Sequence, residues 1–536
     1  MHRRHLSSLA AIASAGLFVT TPAAASECDA LIGSRFGEAL VYEVNDVRDT
    51  LHIANIGHRT PLTLDKPLCR VKGLIEPVSG SQIQFELWLP PKATWNGRYA
   101  GVGNGAFSGS IMFDEMMPPF QRGYAVSSTD AGHVSTGSQS GWALHQPERV
   151  TDWAWRAHHL TAIAAKQIVT AYYGIAAKHS YFLGCSKGGT SAMMEAQRFP
   201  DDYDGILVGA PGWDQSGQIT SYLWTQQAVS APGGWLSAGK LRLLNQAVLK
   251  SCGGMNGYLS DPARCTFDPG RLQCKGADGD DCLTAQQVGT VRKIYSGPTD
   301  AAGKSLYPGL ARGSELNWER FLMGPADRPA TGAWIYANML GYMGNVLYGQ
   351  TDIDFRALDP ASVWSHSRRD LGRTVDAVDY DLTKFAARGG KMIHFHGWND
   401  PIVRPAASPL YFDRVAANMG GVERTLSFYR LFMGPGMDHC SGGIGPNAAG
   451  GPHNDPAASQ DPEHDMLAAL ERWVEQGQAP QQIIATRYRD NDPAKGIEAQ
   501  RPWCPYPAIA RYRGKGDPTL AVNYSCQNNG KAGSRR

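Results

Sequence analysis

Long hydrophobic runs, an excess of one charge and the cysteine spacings of zinc sites are all missing from this sequence of 536 residues. No stretch after residue 25 approaches the roughly 20 apolar residues that a membrane-spanning helix needs. Lysine and arginine total 51, and aspartate and glutamate total 49, which leaves a net charge of +2. A nearly neutral chain lacks the long-range field that attracts nucleic acid or anionic lipid. We therefore expect no nucleic-acid partner and no membrane partner.

The N-terminus has the three parts of a secretory signal peptide. A basic start (HRRH, residues 2–5) precedes a short apolar run at residues 6–19, and small residues end the segment at Ala25. This order of features predicts a signal peptide at residues 1–25 that is removed on export. The alternative, a buried N-terminal helix, rarely combines all three features. The product is expected to be secreted or periplasmic.

Ten cysteines all lie after residue 25. No pair has the C-x-x-C spacing of a zinc site, and outside the cytosol an even number of cysteines favours disulfides. Spacing alone does not fix the connectivity. Neighbours in sequence favour local bridges between Cys252 and Cys265, Cys274 and Cys282, Cys504 and Cys526, and, with a longer loop, Cys28 and Cys69. The two cysteines outside these pairs are Cys185 and Cys440.

Strands and helices alternate on both sides of a long irregular segment. Alternation and apolar runs predict strands at residues 82–90, 124–130, 179–183, 204–208, 391–395 and 425–431, and helices at 152–173, 187–198 and 465–476. This order is typical of a parallel α/β sheet covered by helices on both faces. Residues 209–388 are irregular and cysteine-rich, so we interpret them as an insertion that divides one sheet domain into residues 26–208 and 389–536.

The strongest local motif is GCSKGG at residues 184–189, which places Ser186 in a G-x-S-x-G sequence. A predicted strand precedes this motif and a predicted helix follows it, as the serine turn of an α/β-hydrolase requires. Glycines permit the sharp turn, and the helix N-terminus favours negative charge. We predict that Ser186 is a nucleophile; the alternative is an incidental serine in a glycine-rich turn.

A nucleophilic serine needs a base and an acid, which follow it in the order Ser, Asp, His in α/β-hydrolases. Asp400 ends the sequence HGWND directly after the predicted strand at 391–395, and His439 lies in the loop after the strand at 425–431. These two residues are the predicted acid and base, although Asp400 also fits an ordinary turn before proline. Rival bases remain among His394, His396, His453 and His464.

Cysteines flank two of the three predicted catalytic residues. Cys185 precedes Ser186 and Cys440 follows His439. A working triad brings the serine and histidine side chains to about 3 Å, so the two cysteines would also be close in an oxidising compartment. A disulfide between Cys185 and Cys440 is therefore predicted.

An oxyanion hole needs two backbone N–H groups beside the nucleophile. One comes from the residue after the serine, which is Lys187, and the other from a loop after an early strand. The glycine-rich turn at residues 103–109 fits that description, and we predict Gly105 as the second donor. The alternative is an ordinary tight turn.

Three further segments resemble the tannase/feruloyl esterase family: WNGRYAGVGNG at 95–105, STDAGH at 128–133 and CPYPAIARYRGKGD at 504–517. Together with the triad and its flanking cysteines, the resemblance covers essentially the whole chain after residue 25. It implies an α/β-hydrolase fold, rich in disulfides, with a large lid inserted at 209–388. It also implies hydrolysis of aromatic acid esters: galloyl esters, hydroxycinnamoyl esters or mono(2-hydroxyethyl) terephthalate.

The resemblance also implies a calcium loop in the lid, from which this chain departs. After Cys252, the expected acidic positions hold Gly253 and Asn256. Calcium requires six to eight oxygen ligands, so we expect that this site is lost and that the protein needs neither a metal nor an organic cofactor. A second acidic cluster, formed by Asp278, Asp280 and Asp281, is interpreted as a solvated loop.

The sequence thus predicts a serine esterase that acts through an acyl-enzyme on Ser186, with a small aromatic ester as its partner. A secreted serine peptidase and a catalytically dead binding scaffold remain alternatives. The acyl group and the oligomeric state stay open. Candidate lid residues for substrate contact are the aromatic Trp213, Trp224, Trp235, Trp334 and Tyr336 and the basic Arg312, Arg320 and Arg328.

Overall fold

The structure is a computed structural model that describes residues 26–53, 62–453 and 456–528. The predicted signal peptide at 1–25 lies outside these residues. The strands are β1 (Arg35–Phe36), β2 (Ala39–Val47), β3 (Leu51–Ile53), β4 (Leu62–Leu64), β5 (Leu68–Ile75), β6 (Ile83–Leu89), β7 (Arg98–Val102), β8 (Ala125–Thr129), β9 (His179–Cys185), β10 (Gly205–Gly209), β11 (Lys391–Gly397), β12 (Tyr429–Gly434), β13 (Ile483–Tyr488), β14 (Ile497–Trp503), β15 (Ala508–Tyr512) and β16 (Tyr524–Asn528).

Helices make up most of the remaining regular structure. They are α1 (Phe113–Gln121), α2 (Pro147–Thr151), α3 (Ala157–Tyr173), α4 (Lys187–Arg198), α5 (Gln215–Ser230), α6 (Ala238–Cys252), α7 (Ala285–Ser296), α8 (Trp334–Gly341), α9 (Pro360–Asp370), α10 (Gly372–Val375), α11 (Thr383–Ala387), α12 (Ala407–Asn418), α13 (Val422–Leu426) and α14 (Met466–Gln476). Wide helical turns of the π type cover Asp152–Arg156, Glu319–Met323 and Tyr342–Tyr348. Among the described residues, no helix has the length and apolar character needed to cross a bilayer.

One large sheet organises the fold, with strand order β1-β2-β5-β6-β8-β7-β9-β10-β11-β12. Strands β8, β7, β9, β10, β11 and β12 run parallel to one another, and β8 pairs with β6 in the antiparallel sense. Strands β1, β2, β5 and β6 add an antiparallel half. The predicted parallel α/β sheet is therefore one half of a mixed sheet. Its antiparallel half includes β6, the first strand predicted from alternation.

The parallel half is buried on both faces, as its continuous apolar runs predict. In β9, Phe182 belongs to one hydrophobic cluster, whereas Tyr181 and Leu183 belong to another on the opposite face. Helices α3 and α4 supply side chains to the first cluster, and α1 and α14 supply the second. The sheet core is thus a sandwich between two helical layers.

The segment between β10 and β11 is long, yet the two strands pair directly, with Gly205 opposite Lys391. Among the described residues, this segment holds helices α5 to α11 and no strand of the large sheet. Disulfides close two of its loops, Cys252–Cys265 and Cys274–Cys282. Outside it, Cys28 bonds Cys69 and Cys504 bonds Cys526, so all four local pairings match the sequence prediction.

The strand predicted at 425–431 was wrong over its first half. Helix α13 occupies Val422–Leu426, and β12 begins only at Tyr429. Two left-handed glycines, Gly420 and Gly421, turn the chain after α12, and the Thr425 hydroxyl then donates to the Gly421 carbonyl at 2.9 Å, which suits a helical turn. Apolar alternation alone does not distinguish such a turn from a strand.

Three glycines bring β7, β9 and α4 into backbone contact. A Cβ atom on Gly184 would lie 2.4 Å from the Gly188 carbonyl oxygen, and one on Gly103 would lie 2.5 Å from Gly188 Cα. Only glycine allows such close approach. The contact holds the glycine-rich loop after β7 against the serine turn after β9.

Candidate active site

Ser186 occupies the sharp turn between β9 and α4. Its backbone has φ 61° and ψ −122°, a conformation that non-glycine residues rarely adopt. The Ser186 N–H donates to the Gly209 carbonyl of the adjacent strand β10 at 3.0 Å, which fixes the strained turn to the sheet. Such strain at an isolated serine is typical of a nucleophile held at the carboxyl edge of a parallel sheet.

Asp400 and His439 meet at the same edge. Asp400 follows β11, His439 follows β12, and His439 Nδ1–H donates to Asp400 Oδ2 at 2.5 Å. The other carboxylate oxygen, Oδ1, accepts the N–H groups of Ile402 and Val403 at 2.7 and 3.0 Å. The predicted acid and base are thus in direct contact, although the two residues lie 39 positions apart in sequence.

A disulfide between Cys185 and Cys440 joins the serine turn to the histidine loop, with the two Cα atoms 5.9 Å apart. The described hydrogen bonds do not include one from Ser186 Oγ to His439. The two side chains instead line neighbouring cavities, both bordered by the segment 401–403. Catalytic hydrogen bonds often tighten only when substrate binds, and the disulfide limits how far this pair can separate.

His396 lies behind Asp400 and is fully buried. Its Nε2–H donates to Asp400 Oδ2 at 3.0 Å, so Oδ2 accepts from two histidines. Burial by itself would raise the pKa of Asp400, but the charge of His439 and the hydrogen bonds from both histidines outweigh burial and hold the pKa well below its usual value. Asp400 therefore stays ionised.

A buried chain of hydrogen bonds extends from His396 away from the triad. Its Nδ1 lies 2.7 Å from Ser408 Oγ, Ser408 Oγ lies 2.9 Å from His394 Nε2, and His394 Nδ1 lies 2.8 Å from the Tyr429 hydroxyl. Burial raises the pKa of Tyr429 and lowers that of His394, so tyrosine stays protonated and His394 neutral. Because Asp400 is an anion, His396 must point an N–H at it. When Tyr429 donates to His394, His394 to Ser408 and Ser408 to His396, every donor in the chain points towards the acid.

The rival histidines are accounted for by other partners. His394 and His396 support the acid from behind, as described above. His453 Nδ1 contacts a carboxylate oxygen of Glu115 at 2.5 Å. His464 Nδ1 contacts Asp461 at 2.9 Å. Of the histidines considered, His439 is the one that both contacts Asp400 and lines a cavity of the candidate site.

The pocket beside Ser186 is small, about 40 Å³, and has both apolar walls and polar side chains, among them Gln215, Gln218 and Asn338. Its apolar lining comes from Ala106, Phe107, Trp153, Ile219, Tyr222, Trp334, Ile402 and Val403. Of the five lid aromatics considered from sequence, Trp334 alone is in this lining. Trp213 is instead buried in the core, where its indole N–H donates to the Ala407 carbonyl at 3.0 Å. Phe107, in the loop after β7, and Trp153, in the helical turn Asp152–Arg156, were not predicted as pocket residues from the sequence.

The two predicted oxyanion donors differ in their position relative to the pocket: Lys187 lines it and Gly105 does not. Lys187 begins α4 and lines the pocket with Ser186, whereas the glycine-rich loop contributes Ala106 and Phe107 to the lining, and Gly105 lies one residue before them. Trp153 Nε1–H donates to the Ala106 carbonyl at 2.9 Å, and the Phe107 N–H donates to the Gly137 carbonyl at 3.1 Å. The loop is held rigidly, and the role of Gly105 stays a prediction.

The Lys187 side chain turns away from solvent under Trp153, with its ammonium 4.9 Å from that ring. It donates to the Ala154 carbonyl and to Ser191 Oγ at 3.1 and 3.2 Å. Burial, and then the charge of Arg198, lowers the pKa of Lys187 to about 7. No carboxylate among the described residues forms an ion pair with it.

An open cavity of about 580 Å³ lies beside His439. Asp438 and Arg320 line it, and burial raises the pKa of Asp438 to about 6, although Asn317 donates a hydrogen bond to its carboxylate at 2.7 Å. Of the three lid arginines considered, Arg320 reaches this cavity. Arg312 packs over Tyr295 and Arg328 is exposed.

The loop after Cys252 does not fit a calcium ion. Gly253 has no side chain and closes α6, with its N–H bonded to the Leu249 carbonyl. Asn256 offers an amide where calcium favours a carboxylate. In the other acidic cluster, Asp278 pairs with the Lys240 ammonium. The expected absence of a metal stays a prediction.

The sequence was compared with family models and with known proteins. The family model described as tannase and feruloyl esterase matches residues 69–527. The chain belongs to this family. An uncharacterized esterase of Xanthomonas campestris is 36% identical, with 97% of this chain and 94% of that protein covered.

Two further members have more specific names. The mono(2-hydroxyethyl) terephthalate hydrolase of Piscinibacter sakaiensis is 33% identical, covering 85% of this chain and 84% of that protein. The crystal structure of feruloyl esterase B from Aspergillus oryzae superposes with a TM-score of 0.84 at 28% identity, covering 94% of this chain and 99% of that chain. The family match spans Ser186, Asp400 and His439, and it agrees with the α/β-hydrolase fold and the resemblance identified from sequence.

Two variants of His396 test whether its hydrogen bond to Asp400 supports catalysis. His396→Leu removes a hydrogen bond to a charged group, worth about 1.5–3 kcal/mol, and should lower kcat for p-nitrophenyl acetate by about 10- to 100-fold. His396→Gln keeps an N–H near the same position and should retain most of the activity. Equal kcat values in the two variants, both folded by circular dichroism, would contradict this role.

Substitution of Asp438 is expected to shift the pH profile of kcat/KM. Its carboxylate is ionised above about pH 6 and then stabilises protonated His439 beside it. Asp438→Asn removes that stabilisation, so the neutral base persists to lower pH and the acid limb of kcat/KM should move to lower pH. The exposed substitution Asp490→Asn, far from the site, serves as the control. An unmoved acid limb in Asp438→Asn would show that Asp438 does not act on His439.

Proposed function

We propose that this protein is a secreted serine carboxylic-ester hydrolase that cleaves esters of aromatic acids through an acyl-enzyme on Ser186. The observation that carries the proposal is the strained Ser186 joined, through the Cys185–Cys440 disulfide, to the Asp400–His439 pair. Membership of the tannase and feruloyl esterase family supports ester hydrolysis. Secretion is supported by the sequence of residues 1–25 and by the disulfides.

The proposed reaction has two steps. Ser186 Oγ attacks the ester carbonyl while His439 accepts its proton, and ionised Asp400 holds the imidazole and stabilises its charged form. The N–H groups of Lys187 and of the glycine-rich loop stabilise the oxyanion. His439 then protonates the departing alcohol. Water, deprotonated by His439, attacks the acyl-enzyme and releases the acid.

The chemistry of the pocket supports an aromatic acyl group. Phe107, Trp153, Tyr222 and Trp334 line the pocket that Ser186 also lines, and aromatic side chains favour stacking or edge contacts with a planar ring. Feruloyl and galloyl esters are therefore the first candidates, in keeping with the feruloyl esterase B to which this chain is similar.

A second candidate is a terephthalate monoester. Arg320 lines the cavity that His439 borders, and a guanidinium there suits a substrate that carries a second carboxylate. The similarity to mono(2-hydroxyethyl) terephthalate hydrolase supports the same choice. Arg320→Gln should then weaken hydrolysis of a terephthalate monoester more than that of methyl ferulate.

The proposed function predicts hydrolysis of an aromatic ester that depends on Ser186. Methyl gallate, methyl ferulate, mono(2-hydroxyethyl) terephthalate and p-nitrophenyl acetate would be compared by chromatography of the released acid. Ser186→Ala should lower kcat for the preferred ester by about 10⁴-fold or more, since the nucleophile is lost. A fluorophosphonate should label the wild type and leave Ser186→Ala unlabelled.

Two outcomes would redirect the proposal. Cleavage of casein or a dipeptide, with no ester hydrolysed, would indicate a peptidase that uses the same triad. Silence on every substrate and no labelling of Ser186 would indicate a binding scaffold.

The Cys185–Cys440 disulfide predicts a selective loss of activity. The double variant Cys185→Ala/Cys440→Ala should lose most of its esterase activity, because the serine and histidine loops are then joined only through the sheet. Cys28→Ala/Cys69→Ala removes a disulfide that lies outside the site and is the matched control. Denaturant titration should show that both variants lose about 2–5 kcal/mol of unfolding free energy. Equal activity in the two variants would show that this disulfide stabilises the fold only.

A further inference from the structure

A second large cavity lies on the other side of the catalytic loops. It has a volume of about 580 Å³, and its lining shares no residue with either cavity of the active site. It is formed by Tyr258 of the insertion, Trp398 before the acid, Pro435 before His439 and the segment 501–510. A ligand there would contact both loops that carry the acid and the base without touching Ser186.

The walls of this cavity favour a flat apolar molecule. Tyr258, Trp398, Trp503 and Tyr506 line it, together with five prolines and the side chains of Val422 and Ile509. Aromatic and proline rings offer extended faces that bind planar rings by stacking and by C–H contacts. The lining therefore suits an aromatic body rather than a sugar or a peptide backbone.

Two buried donors in the same lining have no acceptor among residues 26–53, 62–453 and 456–528. Arg501 is 6% exposed, and its Nε has no hydrogen-bond partner in this part of the chain; Trp503, two residues along β14, is 1% exposed, and its indole N–H has none there either. Within the described residues, Arg501 forms no ion pair, and its guanidinium lies between the rings of Tyr258 and Tyr524 at 5.5 and 4.5 Å. A buried donor without a partner is costly, and because these two lie in one cavity lining, an acceptor supplied from outside could satisfy both.

The other charged groups of the lining leave these two donors without an acceptor. Asp261, Arg264 and Asp413 also border the cavity. Asp413 accepts a hydrogen bond from the Tyr506 hydroxyl at 3.3 Å, and Arg264 is exposed at the surface. Arg501 is thus the deeply buried cation of the cavity, and an anionic group with two oxygens fits its planar guanidinium.

We propose that this cavity is a second, non-catalytic site that binds an aromatic carboxylate. The ring would lie among Tyr258, Trp398 and Tyr506, and the carboxylate would accept hydrogen bonds from Arg501 and the Trp503 indole. Such an acid is the product of the proposed ester hydrolysis, and to that extent the choice of ligand rests on the proposed function. The site itself rests on the cavity and its unpartnered donors.

Binding of cinnamate to enzyme whose Ser186 carries a fluorophosphonate adduct tests the proposal, because the catalytic pocket is then filled. Isothermal titration calorimetry should show one site per chain. Arg501→Gln should raise the Kd by about tenfold or more, since a charge-assisted hydrogen bond is lost. Ala510→Trp, which fills the cavity, should abolish binding. Cinnamyl alcohol, which lacks the carboxylate, should bind at least about tenfold more weakly than cinnamate.

Trp503→Phe keeps an aromatic ring and removes only the donor, so it tests the site if Arg501→Gln does not fold. It should weaken binding severalfold, with folding checked by thermal unfolding. No binding to the labelled wild type, or equal binding in all three variants, would overturn the proposal. If Ser186 resists labelling, the proposed function fails on its own, and a Ser186→Trp variant with a filled pocket allows the same titration of the second site.

Discussion

The Cys185–Cys440 disulfide connects two turns that are 255 residues apart in sequence. Both turns leave the carboxyl ends of parallel strands, β9 and β12, so the sheet already brings them to one edge. The disulfide adds a covalent limit on their separation. The proposed reaction depends on this arrangement, because Ser186 and His439 belong to segments that the whole insertion separates in sequence.

A second requirement is an anionic Asp400 with no exposure to water. Burying a carboxylate costs several kcal/mol unless donors surround it. Two backbone N–H groups and two histidines supply those donors, and the chain from His396 to Tyr429 fixes the direction in which His396 donates. The region behind the triad is therefore polar because the acid is charged, although it lies in the middle of the core.

The two large cavities lie on different sides of the loops that carry Asp400 and His439. The side that carries His439 opens onto the lid segment with Arg320, and the opposite side carries Arg501 and Trp503. Arg320 shares the first cavity with the carboxylates of Glu319 and Asp438, whereas Arg501 is the deeply buried cation of the second, in a protein whose total charge is close to zero.

Sequence alone determined the strand–serine–helix turn at Ser186 and favoured the four local cysteine pairings, because local periodicity, glycine positions and neighbouring cysteines encode them. The pairing of Cys185 with Cys440 was predicted only through the expected approach of Ser186 and His439. Sequence alone missed the antiparallel half of the sheet, the start of β12 and the support of Asp400 by His396. Those features, and the aromatic lining and the second cavity, were decided by tertiary structure, because they arise where side chains distant in sequence are packed together.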